Sequence, residues 1–135
     1  MNWIGAGFII AVAAYVTDFV LWSFVFTKGM EQYFSGTKEE ARTTMGPKLT
    51  KSAALTVIFG LVFAFLYAHF KTSLWATGVL GGLEFGTILW LPTIALQNVG
   101  SGVWFDKVRP LLMAQFWSWL IKLNVAGIVA ALLLR

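Results

Sequence analysis

The sequence predicts an all-α polytopic membrane protein, one domain over residues 1–135 folded as a four-transmembrane-helix bundle, and three observations carry that prediction. Of its 135 residues, 59% are hydrophobic and only 12% charged, where ordinary soluble domains carry about 25% charged residues. The mean hydropathy is +0.77. The apolar residues fall into four runs, about Trp3 to Phe26, Thr50 to Phe70, Leu74 to Gln97 and Leu111 to Leu134, each near the ~20 residues that a helix rising about 1.5 Å per residue needs to cross the hydrocarbon. Backbone polar groups there require internal partners, which favours helices.

The first run contains an Ala-x-Ala pattern in "AVAAYV", as a cleaved leader does. The preceding "MNWIGAGF" has no Lys or Arg, however, and the run continues past Asp18, so a retained helix is expected. Residues 27–49 then form the one sizeable extramembrane loop. Within it "SGTKEEARTTMG" reads as a short surface helix, capped by Ser35 or Thr37, favoured in its first turn by Glu39 and Glu40, and ended by Gly46 and Pro47. The second run carries Ser52, Thr56, Gly60, Ala64 and Ala68 at four-residue spacing, a small-residue seam for close helix approach. His69, near its end, reads as an interfacial residue. The third run repeats the device with Gly78, Gly82 and Gly86, with Gly81 one turn before Glu84, and places Pro92 where it deprives the Ile88 carbonyl of its helical donor. A kink is expected there, with Thr93, Gln97 and Asn98 to re-satisfy it. The fourth run aligns Gln115, Ser118, Lys122 and Ala126 on one face. On the first, Asp18 shares its face with Ala11, Ala14, Tyr15 and Trp22.

Charge asymmetry orients the chain. The loops after helices 1 and 3 carry Lys28, Lys38, Arg42, Lys48, Lys51, Lys107 and Arg109, against Lys71 and Arg135 on the other side. This predicts a multi-pass protein of the cell membrane with both termini outside the cytoplasm. Trp3 and Trp75 then belong to the outer aromatic belt and Trp104 to the inner one. The net charge of +4 is accounted for by this topology and by anionic lipid, so no nucleic-acid partner is expected. The absence of cysteine excludes disulfides, thiolate metal sites and thiol redox chemistry. A single histidine cannot ligate haem from both faces, and no zinc-type cluster occurs. No metal, cofactor or catalytic set is expected, and the chain does not read as an enzyme.

The candidate functional residues are the intramembrane charges and their neighbours. A charge at the bilayer centre costs about 2.5–3.5 kcal/mol on insertion scales. Counting from the run ends puts Glu84 and Lys122 both roughly 15 Å deep and Asp18 about 5 to 7 Å nearer the cytoplasm. Glu84 is therefore expected to pair with Lys122, with Asp18 as a second acid in reach; Lys122 paired with Asp18 is the alternative. With two acids and one base, one carboxyl is expected to be protonated or hydrated, and Glu84 is the candidate. Gln115 and Ser118 flank the lysine on its own face. Trp22 and Trp119, whose spacing from Asp18 and Lys122 suggests that they face inward, either line an aromatic vestibule or simply face lipid or pack in the core.

From helix 3 onward, "LWLPTIALQNVGSGVWFDKVRPLLMAQF" resembles domain-of-unknown-function family 1761. The resemblance rests on Trp90 and Leu91, on the Thr-rich stretch from Thr93 to Asn98, and on the loop residues Phe105, Asp106, Arg109 and Pro110; the "YAHF" that ends helix 2 is similar too. Pro92 and Lys122 depart from the pattern. The resemblance implies four transmembrane helices and carries over no activity and no site residue.

Three readings of the charge network follow. In the first it organises the bundle. In the second Glu84 or Asp18 titrates in a proton- or cation-coupled small-solute transporter that works as an oligomer, with Lys122 tuning it and the tryptophans receiving an apolar or cationic solute. In the third the chain is an accessory subunit, its small-residue seams and its 27–49 loop docking a membrane-complex partner.

Overall fold

A computed structural model describes residues 1–26 and 38–135, with side chains in the second stretch from residue 46 onward. Among the described residues the chain is helical and has no strand. Helix α1 spans Trp3–Val20 and continues as a π segment, Leu21–Val25; α2 is Lys38–Phe70; α3 is Gly78–Trp90, followed by a second π segment, Leu91–Ala95, and by α4, Leu96–Trp104; α5 is Arg109–Leu133. Counted through the π and 3-10 segments, four spans of 23, 28, 27 and 28 residues are long and apolar enough to cross a membrane. This is a multi-pass membrane architecture.

Three element boundaries differ from expectation. The surface helix does not end at Gly46 and Pro47: α2 runs through them without a break. Proline in a helix interior removes one ladder bond; residues 46–50 around it are exposed, and Thr50 Oγ1 donates to the Gly46 carbonyl at 3.0 Å. The expected caps Ser35 and Thr37 lie outside the described residues. The third span starts at Gly78, not Leu74, because a 3-10 turn over Lys71–Ser73 and a bend at Trp75 and Ala76 come first. It also ends later, at Trp104, with Pro92 absorbed by the π segment, where the Leu96 N–H donates to the Leu91 carbonyl. Pro92 thus widens the helix locally, and the chain remains one span.

The bundle is two hairpins side by side. Helices α1 and α2 form one; α3 with α4, packed on α5, forms the other; α1 against α5 joins them. Each hairpin closes on glycines. A Cβ on Gly60 would lie 2.3 Å from the Gly7 carbonyl oxygen, and one on Gly82 would lie 2.1 Å from that of Gly127. Gly86 similarly abuts the Leu123 carbonyl. These backbone contacts use the small-residue seams of the second and third runs, where large side chains would hold the helices apart. Gly78, the first residue of α3, serves differently: its φ of +61° reverses the chain into the helix.

Between α2 and the second hairpin, large rings fill the space. Phe63 meets Phe85 edge-on at 5.3 Å, Tyr67 meets Phe85 at 5.4 Å, and Phe59 meets Trp119 at 5.9 Å. With Ile10, Leu123, Ala6 of α1, Ala64 of α2 and alanines of α5, Phe63, Tyr67 and Phe85 form the core, and Phe59 and Trp119 pack against it.

Candidate functional site

Lys122 lies in the middle of α5, on the face that meets α1. Its ammonium donates to Asp18 Oδ2 at 2.9 Å. The lysine residue is 9% exposed, whereas the Asp18 side chain is 31% exposed. The cation is also 3.5 Å from the centre of the Trp119 ring and 5.5 Å from that of Phe59. Aromatic faces carry negative potential, so the rings supply part of the solvation that water would give. The pair joins the two hairpins, because Asp18 is in one and Lys122 in the other.

Glu84 does not take part, and the expected Glu84–Lys122 pair is corrected by the geometry. Its two carboxylate oxygens accept from backbone N–H groups: Oε1 from Trp75 at 2.9 Å and Oε2 from Ala76 at 2.7 Å. The cause is depth. With α3 beginning at Gly78, Glu84 is only about 9 Å along the helix from the end where the termini lie, against about 16 Å for Lys122 and about 22 Å for Asp18. At about 9 Å the carboxylate is level with the loop that folds back over the start of α3. Gly81 makes room for that loop, since a Cβ there would lie 2.7 Å from the Ala76 carbonyl oxygen. Two charge-assisted bonds neutralise much of the cost of the acid, so Lys122 faces a single carboxylate.

The remaining candidates divide. Ser118 is buried beside Lys122 on α5, but its hydroxyl donates to the Gln115 carbonyl at 3.1 Å, within its own helix. Gln115 is part-buried one turn away. Trp119 is at the charge pair, whereas Trp22 stacks on Phe26 of its own segment at 5.6 Å. Among the described residues these two tryptophans make no ring contact, so they do not close a shared vestibule. His69 is exposed, donating from Nδ1 to the Phe65 carbonyl at 2.8 Å. Trp75 and Trp104, 98% and 84% exposed, stand at opposite ends of the bundle; Trp3 packs on Phe65.

Sequence reasoning missed Phe59, which completes the aromatic wall of the ammonium, and the Trp75 and Ala76 N–H groups. The first sits at three-residue spacing from Thr56 and is indistinguishable from an ordinary core ring. The second had a signal: "WATG" before a helix, ending in glycine, is a turn signature. Around Pro92, two of the three polar side chains expected to re-satisfy the helix make bonds. Thr93 Oγ1 donates to the Leu89 carbonyl, and Asn98 reaches across to the Leu112 carbonyl of α5 at 2.9 Å, while Gln97 is exposed. Among the described residues no group of three or more His, Cys, Asp and Glu could hold a metal ion.

Compared with family models, curated proteins and solved structures, the chain matches none.

Proposed function

We propose that the intramembrane charges organise the bundle and that the protein is a membrane-embedded structural element, held in the cell membrane with both termini outside by its Lys and Arg asymmetry. The observation that carries this reading is the 2.9 Å bond between Lys122 and Asp18, which ties one hairpin to the other. Each of the three charges has a partner: Asp18 and Lys122 have each other, and Glu84 has the loop. A buried pair of this kind adds little net stability but makes wrong helix pairings expensive, because each leaves a charge alone in hydrocarbon. It selects a register.

One observation supports a second reading, coupled transport. Only Oδ2 of Asp18 is bonded to Lys122, which leaves Oδ1 for a proton or a cationic solute, whereas both oxygens of Glu84 are engaged. In that reading Asp18, not Glu84, is the titrating group.

The test uses protein reconstituted in liposomes with a pH-sensitive dye, wild type against Asp18→Asn, with a lipophilic cation added outside. The organising reading expects no cation-driven proton movement in either, and a lowered thermal midpoint for the variant. Proton movement in wild type that disappears in Asp18→Asn would replace it with transport.

A further inference from the structure

At the end of the bundle where α2 stops and α3 starts, an open pocket of about 370 Å³ lies among Tyr67, Lys71, Thr72, Thr77 and Arg135, over an apolar floor that includes Leu74 and Leu134. Its lining side chains include two cations and no carboxylate. The start of α3 borders it at Thr77 and Gly78, and the N–H groups of the first helical turn have no acceptors within the helix. Thr77, the N-cap, makes no side-chain capping bond. The helix therefore presents free donors and the positive end of its dipole to the pocket.

Tyr67 supplies an independent indication. The residue is 4% exposed and its ring is wedged on Phe85. No described group hydrogen-bonds its hydroxyl. Every fully buried side-chain N or O among the described residues has a partner, so the unbonded hydroxyl keeps some accessible surface, and Tyr67 lines the pocket. A buried tyrosine ordinarily finds a partner for its O–H. Lys71 gives one bond to the Leu134 carbonyl at 2.7 Å, and its ammonium has two further donors. Glu84, the one acidic side chain described near this end, has both oxygens held by the loop N–H groups.

We propose that this pocket binds the phosphate of an anionic membrane lipid, held by Lys71, Arg135, the Tyr67 hydroxyl and the first N–H groups of α3, with the acyl chains descending over the apolar floor. Trp75, 98% exposed beside the pocket, marks the level of the membrane interface, where lipid phosphates lie. The apolar floor favours a lipid over a free anion.

The test is binding by the full chain in a neutral detergent, read by native mass spectrometry, with dioleoyl phosphatidylglycerol, phosphate-free dioleoylglycerol, and inorganic phosphate as competitor. Phosphatidylglycerol is expected to bind and dioleoylglycerol not to. Tyr67→Phe, which keeps the ring packed on Phe85, and Arg135→Gln, at an exposed position, are each expected to weaken phosphatidylglycerol about tenfold, the loss of one charge-assisted bond. Equal binding of the two lipids, or unchanged affinity in both variants, would overturn the proposal. Full displacement by millimolar inorganic phosphate would overturn the lipid as ligand, leaving a site for free anion.

Discussion

The two hairpins solve the same packing problem and use their acids in opposite ways. In each, the fifth residue of the leading helix is a glycine, Gly7 in α1 and Gly82 in α3, and it meets a glycine on the returning helix, Gly60 or Gly127. In each, the leading helix then widens into a π segment, Leu21–Val25 or Leu91–Ala95. The acids part company. Asp18 crosses to the other hairpin and takes Lys122, while Glu84 turns back to the loop that precedes its own helix. Neighbours decide between them. Glu84, about 9 Å from the start of its helix, is level with the loop whose N–H groups it accepts; Asp18 lies where α1 meets α5 and takes the ammonium that α5 brings there.

The largest effects should come from breaking the glycine contacts, which the hairpins share. Gly82→Val and Gly60→Val each place a side chain where a carbonyl oxygen already sits. Backbone cannot yield as a side chain does, so each is expected to cost about 3 kcal/mol or more, at the upper end of overpacking, measured by thermal unfolding in detergent. If one variant is tolerated and the other is not, the likeness of the hairpins fails.

Of similar size is Lys122→Met, which leaves Asp18 without its cation and is expected to cost about 3–5 kcal/mol. Adding Asp18→Asn should restore much of that, since the double variant holds no unpaired charge. Little recovery in the double variant would show that Lys122 contributes mainly through Trp119 and Phe59.

Glu84→Gln should cost less, about 1–3 kcal/mol, because the amide retains one acceptor for the Trp75 and Ala76 N–H groups. The sharper measurement is its coupling to Lys122→Met in a double-mutant cycle. The two acids serve separate partners, so the costs should add to within about 0.5 kcal/mol. A coupling as large as that between Asp18 and Lys122 would merge the two sites into one network. The smallest effect has the opposite sign. Gly100 in α4 has open space where a Cβ would go, so Gly100→Ala should stabilise by up to about 1 kcal/mol.

Much of this arrangement was legible in the chain. Hydropathy and length specify four spans because the cost of polar groups in hydrocarbon is a property of each segment by itself. Spacing by four residues marked Ser52, Thr56, Gly60, Ala64 and Ala68 on α2, Gly78, Gly82 and Gly86 on α3, and Gln115, Ser118, Lys122 and Ala126 on α5; Gly60, Ala64, Gly82, Gly86, Ser118, Lys122 and Ala126 are buried, Thr56, Ala68 and Gln115 are half-buried, and Ser52 and Gly78, at the ends of their seams, are exposed. Helical periodicity assigns a residue to a face without knowledge of its neighbours. It does not say which neighbour meets that face, nor at what height. The choice of Asp18 over Glu84 rested on α1 lying beside α5 and on α3 beginning at Gly78 instead of Leu74, four residues that shift the glutamate by about 6 Å. Those are properties of how the helices stand against one another. A charge in hydrocarbon pairs with whichever group the packing brings within about 3 Å, and only the tertiary structure contains that distance.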